Sequence, residues 1–254
     1  MPRYEVAVAT RNPKVRYLVV NLLKRLGLSF VLCAPNDRRC DTSKVVITTD
    51  AEASQFHASR LVVVGEAFND DATAIEVMFS FFDVRDSSVI TIGIDPGMKF
   101  GLALAADGAV LYTATASTPF KAAYHTLHWI SIVQKHFHNS VLVRVGTGSR
   151  LYSALYLRGM KDCVKQGILI EMVDEKHTTK VGESDKSSAI LIALRKGRPV
   201  TDEDVILEAK EGYIRSLKRL VTKVTDGRLA LTSAQASSVI QNEMTLDEIL
   251  GELD

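Results

Sequence analysis

Cysteine is scarce in this chain of 254 residues: Cys33, Cys40 and Cys163 are an odd number without Cys-x-x-Cys spacing. That argues against a disulfide framework and against a zinc cluster, and predicts three reduced side chains. Long apolar runs are missing as well. Stretches such as Leu61 to Val64 fall far short of the roughly 20 residues a membrane-spanning helix needs, and charged residues stand at the N-terminus where a signal peptide would be apolar. No membrane partner is expected, and the chain reads as cytoplasmic. Neither charge is in excess, since 31 Lys and Arg face 30 Asp and Glu for a formal net charge of +1. No global field draws the protein to a polyanion, so any such contact must come from a local patch. Repeats and low-complexity tracts are absent. What remains is an ordinary globular composition, 46% apolar and 24% charged, at a length that suits two domains better than one.

The hydrophobic pattern divides the chain into three parts. Residues 1–87 alternate strands and helices. Tyr4 to Thr10 reads as a strand, and Pro13 to Leu26 as a helix with apolar residues at Val15, Leu18, Val19, Leu22 and Leu23. Strand-like SFVLCAP, KVVITT and LVVVGEAF follow, then a helix over Asp71 to Phe82. This predicts a small α/β domain with a parallel sheet. It has no glycine-rich phosphate loop, which argues against nucleotide binding there. Residues 88–198 read βββαβαβα: strands VITIGID, GLALAAD and AVLYTATA, the last two joined at Asp107-Gly108, then helix 119–138, strand SVLVRVG, helix 150–166, strand GILIEMV and helix 184–195. Trp129 with Leu127, Ile130 and Val133 is expected in the core. Residues 199–254 read as a helical C-terminal tail that opens on EDVILEAKEGYIRSLKRLVTKV.

The chemistry concentrates at strand ends. Asp95, before Pro96-Gly97, closes an apolar strand that has to stay dry, a poor place for a carboxylate without a task. Asp174-Glu175 closes the last strand of the middle part. With right-handed crossovers the first, fourth and fifth strands of that part are parallel and end on one rim, which makes Asp95 and Glu175 neighbours. Asp185 opens the helix that packs back over the same rim. Carboxylates from separate elements crowd together there, and a divalent cation, Mg²⁺ or Mn²⁺, would relieve their repulsion. Singly, each has a dull explanation as a turn residue, a solvated strand end or a helix cap. Gly146 and Gly148 expose backbone amides before a helix that starts at Arg150, a place for a phosphate. Lys176 and His177 follow the acidic pair. His125, His128, His136 and His138 lie on one helix without a Cys or Asp to complete a zinc set. Lys218 and Arg219, with Lys210, Arg215 and Lys223, make one side of the tail helix basic, the local patch that contact with nucleic acid requires.

Taken in order, IGIDPGMKFGLALAADG, VDEKHTT and SDKSSAILIAL resemble the RNase H-like superfamily in its RuvC/YqgF branch, including archaeal RuvC/YqgF-like proteins. The resemblance covers about Ser88 to Pro199. It implies an RNase H-like domain and a metal-dependent nuclease that hydrolyses phosphodiesters of structured or branched nucleic acid, DNA before RNA. Asp95 would bridge metal, Asp174, Glu175 and Asp185 would complete the ligands, and Lys176 or Arg150 would contact phosphate, with Asp95, Glu175, Asp185 and Lys176 as the catalytic set. A homodimer would suit two-fold substrates of that branch. The chain departs from the pattern in two places: Val143-Arg144-Val145-Gly146 stands where a strand-four glutamate is expected, and Ser188 stands one turn after Asp185 where a second acid is expected. Two other readings stay open, a non-catalytic nucleic-acid-binding protein with a degenerate site and an actin-like nucleotide-binding ATPase.

Overall fold

A computed structural model describes residues 5–35, 37, 40, 42–56, 60–65, 67–84, 88–137, 140–165, 167–175 and 185–251. The protein is α/β, with two compact units, Met1–Asp86 and Ser87–Asp254. The first holds a sheet of order β2-β1-β3-β4, all parallel, from β1 (Val6–Ala9), β2 (Phe30–Cys33), β3 (Val45–Thr49) and β4 (Leu61–Val64). Helix α1 (Pro13–Leu26) follows β1 and α2 (Asp70–Phe82) follows β4. The ends of α1 follow from its sequence. The Asn12 side chain accepts from the amides of Lys14 and Val15, Pro13 starts the helix, and Gly27 stops it at φ 70°. Val15, Val19 and Leu23 then meet Val6, Val8, Val45 and Ile47 in one core.

Cysteine gives the first correction. Cys33 and Cys40 are joined by a disulfide, their α-carbons 6.6 Å apart. Cys33 ends β2, and both residues are buried in a small core with Ala7, Ala9 and Val46. That encounter is tertiary and leaves no spacing motif. Cys163 is free and buried.

The second unit is built on a mixed sheet of order β10-β9-β8-β5-β6-β7. Its strands are β5 (Ile90–Asp95), β6 (Phe100–Ala106), β7 (Ala109–Ala116), β8 (Val141–Gly146), β9 (Leu169–Val173) and β10 (Arg198–Pro199). Strands β5, β6 and β7 are antiparallel neighbours, and β6 turns into β7 at Asp107 and Gly108, which both take positive φ. Strands β5, β8 and β9 are mutually parallel, and β10 adds an antiparallel edge.

The two faces of β6 are dressed differently. Ala103 and Ala105 pack against Ala189 and Ala193 of helix α6 (Asp185–Leu194), so α6 lies close to the sheet. A Cβ on Gly93 would run into the Ala189 carbonyl, and one on Gly101 into the Asp185 carbonyl. On the other face, Phe100 meets Tyr152 and Tyr156 of α4 (Arg150–Gly159), and the Tyr156 hydroxyl donates to Thr126 of α3 (Pro119–Phe137) at 2.9 Å. Trp129 is fully buried there, but Leu127, expected in the core, is 37% exposed. The helix expected over 150–166 is broken: α4 ends at Gly159 and α5 spans Lys161–Lys165.

Residues 199–254 belong to the second unit. The tail helix expected from residue 203 starts only at Glu211, as α7 (Glu211–Val224), followed by α8 (Ser233–Ile240) and α9 (Leu246–Gly251). Arginines hold the segment before it: Arg150 donates to the carbonyls of Glu203 and Ile206, and Arg158 to that of Val205. Arg158 also donates to the carbonyls of Val239 and Ile240 at the end of α8, and Arg198 grips Asp204 through both guanidinium nitrogens at 2.6 and 2.7 Å.

Replacing Arg158 by Met should keep the apolar stem and strand those carbonyls. Stability should fall by about 2–4 kcal/mol, since hydrogen bonds to a charged group are among the stronger ones. A urea titration should show a lower midpoint at unchanged slope; an unmoved midpoint would mean that water replaces the guanidinium at no cost.

Candidate carboxylate site on the second sheet

Parallel β5, β8 and β9 end on the same rim, and each delivers chain to it. Asp95 is the last residue of β5, Glu175 stands two residues beyond β9, and Asp185 is the first residue of α6. The Asp95 carboxyl is pushed up to about 6, first by the loss of water around it and then by the negative charges of Glu175 and Asp185. The Ser188 hydroxyl donates to it and pulls the other way. Ser188 lies three residues along α6 from Asp185, so one helical turn supplies both the repelling charge and the hydrogen bond.

The other two carboxylates have local partners. The amide of Gly148 donates to Glu175 Oε1 at 2.8 Å. Both glycines of the β8–α4 loop lie against that side chain: a Cβ on Gly148 would stand 2.7 Å from Glu175 Oε2, and one on Gly146 would collide with Oε1. The Lys99 ammonium, on the β5–β6 turn, lies 3.9 Å from Asp185 Oδ2 with its side chain 56% exposed.

The rim thus brings together Asp95, Glu175 and Asp185, and not every residue expected with them. Asp174 is exposed and is not among the charges that act on Asp95. Lys176 and His177 lie outside the described residues. Gly146 and Gly148 are placed on the rim, but the Gly148 amide expected to meet a phosphate is bonded to Glu175. Arg150, expected on a phosphate, is committed to the carbonyls of Glu203 and Ile206. On α7, Arg219 is exposed and acts on the Tyr152 hydroxyl, while Lys218 lies 3.5 Å from Ser233 Oγ. Ser188 and Lys99 had not been expected at the site. The signal for Ser188 is its place one turn after Asp185, where the resemblance implies a second acid.

The three side chains offer only carboxylate oxygens, the donors a hard divalent cation takes, but among the described residues no group of three or more His, Cys, Asp or Glu side chains is placed to hold a metal ion. A separate cavity of about 830 Å³ lies among Leu157, Arg158, Lys161, Val205, Ile206 and Asn242, and none of the three carboxylates lines it. Among the described residues no helix is long and apolar enough to cross a membrane.

No protein-family model and no curated protein matches the chain. Among solved structures it is similar to Marinitoga piezophila Argonaute, crystallised in complex with a 5′-OH guide RNA and target DNA, at 9% identity and a TM-score of 0.25. The match takes in 67% of this chain and 39% of that one, so the chain spans well under half of that protein. A likeness this slight assigns neither a fold family nor an activity.

The raised pKa of Asp95 has a consequence for stability. An unfolded Asp titrates near 3.8, whereas the folded carboxyl holds its proton up to about 6. Between those values the native state binds the extra proton, so stability should fall as pH rises through that window and stay lower above it. The full shift corresponds to about 3 kcal/mol. Because the carboxyl is partly exposed, solvent screening reduces this to about 1–2 kcal/mol. Asp95→Asn should remove that part of the slope and be the more stable protein at pH 7. Denaturation of both proteins from pH 4 to 7 checks it, and parallel slopes would show that Asp95 is not crowded.

Proposed function

We propose that the second unit is a divalent-metal-dependent nuclease of the RNase H-like, RuvC/YqgF type, acting on structured or branched DNA. The observation that carries this reading is the meeting of Asp95, Glu175 and Asp185, from three separated elements, on the rim where β5, β8 and β9 end. The strand order β9-β8-β5-β6-β7 with β5, β8 and β9 parallel is the arrangement that the sequence resemblance implies, and it supports the same reading.

Bound Mg²⁺ or Mn²⁺ would supply neutralising charge and an activated water for in-line attack on a phosphodiester. The residues that would hold it are Asp95, Glu175 and Asp185. Ser188 fixes one side of the Asp95 carboxylate. The Gly148 amide orients Glu175. Lys99, exposed beside Asp185, offers a positive charge to a substrate phosphate. Lys176 keeps its proposed place next to Glu175 in sequence, as a second phosphate contact.

One observation favours a second reading, a nucleic-acid-binding protein without chemistry: the described carboxylates do not stand as a ready ligand group. The two readings part over the metal. Mn²⁺ at about a hundred times its dissociation constant should add about 2.7 kcal/mol of stability to the wild type. In Asp95→Asn that gain should vanish, and cleavage of branched, duplex and single-stranded DNA should drop at least a hundredfold. Thermal melting with and without Mn²⁺ and a cleavage panel measure both. A wild type that neither gains stability from Mn²⁺ nor cuts any substrate leaves only the binding reading.

A further inference from the structure

A cavity of about 830 Å³ lies in the second unit between the end of α4, the 200–207 segment and the turn after α8, and none of Asp95, Glu175 and Asp185 lines it. Its volume is that of a small-molecule site, which buries an apolar body and fixes it with a few polar groups. The walls have that make-up. Leu157 and Leu207 are buried, and Val200, Val205 and Ile206 carry the apolar lining out to solvent, where Ile206 is 62% exposed. Arg158, Lys161, Thr201, Asp202, Gln241 and Asn242 supply the polar groups. No aromatic ring is among the described residues of the lining, so a flat heterocycle has nothing to stack on and an aliphatic body suits the walls better.

The charges in these walls do not balance. Arg144 has Glu171 and Arg198 has Asp204, but Arg158 has no carboxylate among the described residues. Its four hydrogen bonds there all go to backbone carbonyls, two to Val205 and one each to Val239 and Ile240. A guanidinium has five N–H groups, so one of the two on Nη1 is left over. Burial holds Arg158 below its usual range, and no acid acts on it in the other direction. The end of α8 answers the cation in part, with about half a unit of negative charge on its last carbonyls. Asp202 lines the cavity and Asp247 a smaller cleft that Arg158 also lines, yet neither acts on Arg158. Lys161, exposed at the start of α5, is a second cation in the lining and has no ion pair among the described residues. Two cations thus share the cavity with one acid, and the cation that is partly out of water is the one that acid does not reach.

We infer that this cavity binds a small amphipathic anion, an aliphatic body that carries one carboxylate or phosphate, with the body against Leu157, Val205, Ile206 and Leu207 and the head toward Arg158 and Lys161. A charge partly removed from water is best answered by an opposite charge that arrives with its own hydrogen-bond acceptors, and the remaining N–H of Arg158 would give the head a charge-assisted hydrogen bond. An inorganic anion would leave the apolar walls unused. A neutral or cationic amphiphile would leave Arg158 without a counter-ion. The inference is independent of the nuclease reading, since the cavity and the carboxylate rim share no residue.

The test is isothermal titration calorimetry of the full chain with octanoate, octyl phosphate, octylamine and inorganic phosphate. Octanoate and octyl phosphate should each bind at least about tenfold more tightly than octylamine or inorganic phosphate, and the tighter of the two identifies the head group. Lengthening octanoate to decanoate should tighten binding by up to roughly fifteenfold, the effect of burying two further CH₂ groups. Lys161→Ala should weaken both anions roughly three- to fivefold. Ile206→Asp places an acid in the apolar wall; it should weaken the anions at least about tenfold and turn the preference toward octylamine. Arg158→Met should lose the preference for an anionic head, and Lys161→Ala and Ile206→Asp, both at exposed positions, decide the matter should that variant unfold. Equal affinity for octanoate and octylamine, or for octyl phosphate and inorganic phosphate, would overturn the inference. Anion binding that neither Lys161→Ala nor Ile206→Asp moves would do the same, as would a wild type that binds none of the four compounds.

Discussion

Everything at the rim depends on how closely α6 lies on β5 and β6. Gly93 and Gly101 leave no side chain between strand and helix, and Ala103, Ala105, Ala189 and Ala193 fill the rest of the contact with single methyl groups. A helix seated this low places its first turn at the level of the strand ends. Asp185 and Ser188 therefore meet Asp95 rather than solvent above it. The seat leaves no room for relaxation, because interiors at close packing pass a clash on to their neighbours. The small residues of ITIGID and FGLALAA are thus a condition for the carboxylate cluster, although none of them touches a ligand.

A second constraint is how the arginines are used. Arg144 pairs with Glu171 at 2.9 Å and donates to the Ala193 carbonyl, which ties the end of α6 to β8 and β9. Arg158 and Arg150 hold carbonyls of the 203–206 segment and the end of α8. Guanidinium suits this work, since its planar donors satisfy several acceptors at a fixed geometry. The consequence reaches function. Arg150, which looks like a phosphate ligand in the sequence, is engaged in holding carbonyls, and α7 to α9 are joined to the sheet domain instead of trailing from it.

These two constraints mark what was legible in the sequence. Local signals worked where local chemistry decides: Asn12, Pro13 and Gly27 delimit α1, and the alternation of apolar runs and turns locates the strands. The rim carboxylates were legible for a similar reason, since each closes or opens an element and the crossover rule puts parallel strand ends together. Contacts between distant residues were not. The Cys33–Cys40 disulfide leaves no spacing motif although only seven residues separate the pair, the segment before α7 is held by arginines some 50 residues away, and the exposure of Leu127 depends on what α3 packs against. The Gly146-Thr147-Gly148 loop is the instructive case. Its sequence predicts backbone donors for a phosphate at a helix start, but the anion that the Gly148 amide meets is Glu175 of the same chain.

That substitution bears on how the site is to be understood. A hydroxyl aimed at Asp95 favours its ionised form, whereas burial and the charges of Glu175 and Asp185 oppose it. A donor arranged to keep a carboxylate charged in a place that penalises charge does not serve stability; an apolar replacement would serve it better. Such an arrangement makes sense when the charge is required by something that arrives from outside. Within the chain, Lys99 answers that charge only in part, 3.9 Å from Asp185 and with its side chain 56% exposed.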